Sequence, residues 1–117
     1  MGDKDLNIAY ARKCLKHSLL KGESPIASHL LYPQVLNDDN VHERQLGIEA
    51  GLAWIFASSY SAFYTDLGWS KGMILALNRC IESKHDFILR GIFHQPVDPP
   101  SVPKASLRRF LIGSRLS

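Results

Sequence analysis

Cysteine is scarce in this chain: Cys14 and Cys80 are the only two in 117 residues, and they lie far apart. A disulfide framework is thereby excluded, and a reducing, cytoplasmic setting is expected. Long apolar runs are missing too. The longest charge-free stretch, 50–65, is broken by Ser58, Ser59, Tyr60 and Ser61, well short of the roughly 18 consecutive apolar residues of a membrane span. No membrane association is expected. The start Met1-Gly2-Asp3-Lys4-Asp5 is charged, mixed in sign and followed by no apolar stretch, unlike a secretory leader. Leu6 stands where an N-myristoylation signal has Ser or Thr. The histidines His17, His29, His42, His85 and His94 show no ligand spacing, so no metal and no cofactor is expected. The spacing of a P-loop and the nucleophile elbow of a serine hydrolase are also absent.

Excess charge is missing from most of the chain. Residues 1–93 hold ten Lys+Arg and ten Asp+Glu, whereas residues 94–117 set Lys104, Arg108, Arg109 and Arg115 against Asp98 alone, so the whole net charge of +3 sits in the tail. A neutral body argues against a folded face that grips a phosphate backbone by charge. The tail is left as a candidate for acidic partners. What the chain does have is a hydrophobic content of 45%, enough for a core, in a length that suits one domain.

The periodicity predicts a helix over 3–21, with Asp5 as a cap, Ile8, Ala11, Leu15 and Leu19 on one face and Gly22 at its end. Residues 25–28 read as a short strand, followed by a loop through Pro33 and 37–40. A second helix is expected over 41–58, opened by Asp39 or Asn40, with Ile48, Leu52, Ile55 and Phe56 facing the core. Gly47 and Gly51 share another face of it, which calls for close approach of a ligand or, more simply, of a packed strand. Residues 60–65 alternate and read as a strand; Ser70 opens a helix to about Lys84 with Met73, Leu77, Cys80 and Ile81 buried; residues 86–90 read as a last strand. Residues 95–103 form a proline-rich linker, and Ala105 to Ile112 suit a short basic amphipathic helix. Helix, strand, helix, strand, helix, strand is the order of an α/β layer with parallel strands. The expected division is a domain over 1–93 and a linker with basic tail over 94–117.

The strongest local signal is Asp66-Leu67-Gly68-Trp69-Ser70-Lys71-Gly72-Met73, where a strand ends in a glycine-bearing loop and a helix begins. The unpaired N–H groups of a helix start attract anions, and the carboxyl edge of a parallel sheet is where ligands sit. A phosphate or a sugar hydroxyl fits there; so does a plain serine cap with glycines serving the turn. Asp66 either accepts a ribose hydroxyl or shapes the turn. His29 is expected on the same edge, as a base or sugar contact or as a structural histidine. Arg44 either reaches a phosphate or pairs at the helix start. A Ser70, His29, Asp66 triad can be assembled only on paper.

Four segments, Asn7-Ile8-Ala9-Tyr10-Ala11-Arg12, Glu23-Ser24-Pro25-Ile26-Ala27-Ser28-His29-Leu30-Leu31-Tyr32, Glu43-Arg44-Gln45-Leu46-Gly47-Ile48-Glu49-Ala50-Gly51-Leu52-Ala53-Trp54 and Tyr64-Thr65-Asp66-Leu67-Gly68-Trp69-Ser70-Lys71-Gly72-Met73, resemble in that order a small uncharacterised domain family common in phages and bacteria. That family is similar to the nucleoside 2-deoxyribosyltransferases and nucleotide N-glycosidases. The resemblance implies a flavodoxin- or Rossmann-like three-layer α/β domain with a small parallel sheet, in which the Ser-x-Gly helix start holds the sugar's 5′ end. It also implies a glutamate one turn further on as nucleophile. Ala76 occupies that position here, and a methyl group can neither attack an anomeric carbon nor stabilise an oxocarbenium-like centre. Catalytic residues are therefore expected to be absent.

The related enzymes also begin with a central strand that is missing here. Either the sequence starts late, or the proline-rich tail supplies that strand, or a second copy of the chain does. The expectation is a non-catalytic nucleoside- or nucleotide-binding domain, forming a homo-oligomer, that holds a phosphorylated ligand through Ser70, Lys71, Gly72 and Met73 with Asp66, Gly68, Arg44 and His29. The alternative is a phage-type accessory or anti-defence protein that binds a host protein or nucleic acid through its basic tail. An active N-glycosidase or transferase is the third and weakest reading.

Overall fold

The structure, a computed structural model, describes residues 4–100. The helix expected at 105–112, the end of the proline-rich linker and the four basic tail residues lie outside the described residues. The elements in chain order are α1 (Lys4–Leu20), α2 (Ser28–Leu31), a 3-10 turn (Tyr32–Gln34), α3 (Val41–Ala57), β1 (Ser61–Tyr64), α4 (Lys71–Glu82) and β2 (Phe87–Arg90). The chain divides into two compact units, Met1–Trp54 and Ile55–Ser117.

In the first unit α1 stops where glycine was expected to stop it. Gly22 adopts φ +87°, its N–H donates to Leu19 O, and the Glu23 N–H donates to Ser18 O at 3.3 Å, which together form a Schellman end. The buried Ser18 hydroxyl donates to the Glu23 carboxylate at 2.6 Å and fastens the turn. Asn40, not Asp39, caps α3: its side-chain oxygen accepts from Glu43 N, while the Glu43 carboxylate accepts from Asn37 N. Of the face expected on α1 only Ala11 is buried, with Ile8 and Leu19 exposed.

Residues 25–28 are not a strand. Residues 24–27 are irregular, and Ser28–Leu31 makes one helical turn that runs into the 3-10 turn. A lone strand in this unit would have no partner for its backbone groups, and burying unpaired N–H and C=O is costly. The turns satisfy them locally: Leu30 N donates to Ala27 O, and Val35 N and Leu36 N both donate to Tyr32 O. Pro33 sits in the first turn of the 3-10 segment, where a missing N–H costs nothing. The two glycines of α3 are the seat for this α2 segment. A Cβ on Gly47 would meet Leu36 Cδ1 at 3.1 Å, and one on Gly51 would meet Ser28 Oγ at 2.9 Å. Close packing was expected there, but the packed element is helical. The Trp54 indole N–H donates to the Tyr32 hydroxyl at 2.7 Å and ties the 3-10 turn to α3.

The second unit is built on a two-stranded parallel sheet, in register from Ser61 opposite Phe87 to Tyr64 opposite Arg90. Phe63, Phe87 and Leu89 are buried, and Leu77 and Cys80 of α4 are 0% exposed. The Phe63 and Phe87 rings meet edge-on at 6.0 Å, and Trp69 lies against Phe63 at 5.5 Å. Met73 and Ile81, expected to be buried, flank this core half-buried. The expected face of α3 fares worse, since only Ile55 is buried while Ile48 and Phe56 are exposed. Apolar residues surround α3, so spacing alone selects no face. The observed class is α/β with parallel strands, with two strands among the described residues where three were expected. No helix among those residues is long and apolar enough to cross a membrane.

Candidate functional site

At the carboxyl end of β1 the chain passes through Thr65 and Asp66, turns at Gly68 and enters α4. Gly68 has φ +84°, a left-handed conformation that glycine adopts without strain, and its N–H donates to Thr65 O. Ser70 is the cap of α4, its hydroxyl accepting from Met73 N at 3.2 Å. Lys71 and Gly72, the first two helical residues, are exposed, and Met73 is half-buried behind them. A Cβ added to Gly72 would meet nothing nearer than Ser70 Oγ at 3.9 Å. Neither backbone conformation nor neighbouring atoms require glycine there.

Asp66 is a clamp. Its Oδ2 accepts from Ile92 N at 2.8 Å, and its Oδ1 accepts from Phe93 N and His94 N, each at 2.9 Å. Of the two readings open in the sequence, these bonds show the one in which Asp66 shapes the backbone. Thr65, 2% exposed, works alongside it: the hydroxyl donates to Arg90 O at 3.3 Å and accepts from Val97 N at 2.9 Å. The Trp69 indole N–H donates to Val97 O at 2.7 Å. Residues 92–97 are thus drawn onto the loop 65–69 across the strand ends. Gly91 makes that return path fit, because a Cβ there would lie 1.9 Å from His94 O.

The structure therefore brings Asp66, Gly68, Ser70, Lys71, Gly72 and Met73 together at one loop and helix start. His29 and Arg44 belong to the other unit. His29 lies on α2 rather than after a strand; its imidazole is pushed below its ordinary pKa by burial although the residue keeps an exposed surface. Arg44 is exposed in the first turn of α3, and its expected partner Glu43 is engaged with Asn37 N. The paper triad fails on its acid, since the Asp66 carboxylate holds three backbone N–H groups. Ala76 on α4 brings no carboxylate to the site, as its sequence requires.

Sequence reasoning missed Thr65, Trp69, Gly91 and the returning segment. A glycine directly after a strand and a Thr-Asp pair at the end of another were the available signals. Elsewhere in the unit, burial pushes the Cys80 thiol up, partly countered by a hydrogen bond from Ser61, so this thiol is a poor nucleophile. Ser58 Oγ and His85 Nε2 lie 3.4 Å apart, but they precede the two strands and so sit at the opposite edge of the sheet.

A family model described as a domain of unknown function, DUF7768, matches residues 1–90, which end on the last residue of β2. No curated protein and no solved structure matches the chain.

Proposed function

As the chain belongs to the DUF7768 domain family, we propose that it is a non-catalytic nucleoside- or nucleotide-binding domain that takes a phosphorylated ligand at the start of α4. The observation that carries this reading is Gly72. Glycine is a poorer helix former than alanine, and at this second position of α4 no turn and no neighbour demands it. A glycine in the first turn leaves the backbone N–H groups bare to an approaching anion, and the helix dipole favours negative charge there. Lys71 adds a cation at the same point. The nucleoside part of the proposal comes from the resemblance of Ser70 and Gly72 to the sugar-binding helix start of the deoxyribosyltransferases, and Ala76 removes their chemistry. A three-layer Rossmann-like domain is the fold that goes with this reading.

Isothermal titration of the full chain with nucleoside 5′-phosphates and cyclic nucleotides tests it. Binding heat is expected for the unchanged protein and is lost in Ser70→Asp, which keeps a good helix cap while placing a negative charge at the site. Absence of heat from the unchanged protein across the panel overturns the proposal.

A second copy of the chain is the partner this reading includes. Each strand of the described sheet has a neighbour on one side only, and a two-stranded pair is marginal until further strands or helices cover it.

A further inference from the structure

Residues 91–97 are held in an unusual way. Their fastenings are polar: the Asp66 carboxylate takes Ile92, Phe93 and His94 N–H, Thr65 Oγ takes Val97 N–H, and Trp69 donates to Val97 O. All three fastening side chains belong to the single loop 65–69. Two of its apolar side chains stay largely in water, Phe93 at 60% and Val97 at 53% exposed, while Ile92 is half-buried. Pro99, just beyond, is buried. At the near end Gly91 permits the closed path, and the family match stops one residue before it.

We propose that residues 91–97 form a strap, latched by Asp66, that opens and closes as one unit over the carboxyl ends of β1 and β2 without unfolding the sheet. Each hydrogen bond contributes only its net difference from a bond to solvent, and those accepted by the Asp66 carboxylate contribute the most. A segment fastened mainly by such bonds, with Phe93 and Val97 already wet, opens at lower cost than the core beneath it. Phe63, Leu77, Phe87 and Leu89 stay packed when it lifts, because none of the latching bonds passes through their side chains. Opening breaks these latching bonds together, next to the start of α4. The strap does not depend on the ligand reading, since it opens whether or not anything binds there.

Residue-resolved amide hydrogen exchange of the full chain tests this. In the unchanged protein the amides of Ile92, Phe93, His94 and Val97 are expected to share one intermediate protection, below that of the sheet amides of Ser61 and Thr65. In Asp66→Asn the protection of Ile92, Phe93, His94 and Val97 is expected to fall together by about tenfold or more, as loss of a charged acceptor implies, with Ser61 and Thr65 unchanged. Trp69→Phe keeps an aromatic ring beside Phe63 and removes the indole bond to Val97 O, so the four strap amides are expected to speed up together with Ser61 and Thr65 unchanged, even if Asp66→Asn does not fold; Val97 speeding up alone would overturn the single unit. Strap and sheet amides accelerating together, or strap amides protected as strongly as the sheet in the unchanged chain, would overturn the proposal.

Discussion

Single residues decide most of what the second unit does, and three of them behave differently from what their neighbours in sequence suggest. Asp66 looks like a ligand group and is a backbone clamp, because three N–H groups from a segment 26 to 28 positions later converge on its carboxylate. Gly91 looks like a spacer and is sterically obligatory. Gly72 looks like a turn residue and is not needed by the turn. Long-range returns of this kind leave no periodic trace, which is why the clamp was illegible while the cap at Ser70, a local matter of a hydroxyl and an N–H three residues on, was readable. His29 sets a pH dependence. Its folded-state pKa lies below the ordinary value of about 6.5, because burial disfavours the charged ring. The unfolded chain therefore takes up the proton first as pH falls. Stability from this group is complete above about 6.5, declines as pH drops toward the folded pKa, and levels off below it. Urea midpoints measured at pH 7.5 and pH 5 are expected to show a small loss at the lower pH that His29→Gln abolishes.

Elements were legible where a local signal closes them and where their apolar residues keep to one side. The C-terminal end of α1, the cap of α3 and the cap of α4 follow from Gly22, Asn40 and Ser70, whereas Asp5, expected to cap α1, lies inside its first turn; the parallel pairing of β1 with β2 follows from the helix between them. Residues 25–28, read as a strand, and the loop expected after them were misread because a short apolar run between two prolines fits a strand or a turn equally well. What settles it is a tertiary fact, the glycine face of α3 offering a groove to a helical turn. The end of α4 carries one local conflict: Lys84 adopts φ +57°, where His85 N returns to Cys80 O and Lys84 N to Ile81 O. A left-handed residue with a Cβ costs roughly 1–2 kcal/mol. Lys84→Gly is expected to stabilise the protein by about 1 kcal/mol, seen as a higher melting temperature.

For the whole molecule the sequence conveyed the α/β class, the parallel pairing and the neutrality of the body, but not its division into two units. Charge and hydrophobic content average over both units and cannot report where contacts thin out. The sheet has two strands among the described residues, and its completion by a second copy predicts a dimer in solution. Light scattering on the full chain at micromolar concentration is expected to return twice the monomer mass of 13.1 kDa; a clean monomer at all concentrations counts against the second copy. The central claim, an anion site at the start of α4, is most directly tested by mapping backbone amide shifts as a nucleoside 5′-monophosphate is added. The account predicts saturable shifts centred on the amides of Lys71 and Gly72, suppressed in Ser70→Asp. Shifts that leave Lys71 and Gly72 unmoved at millimolar ligand would contradict it.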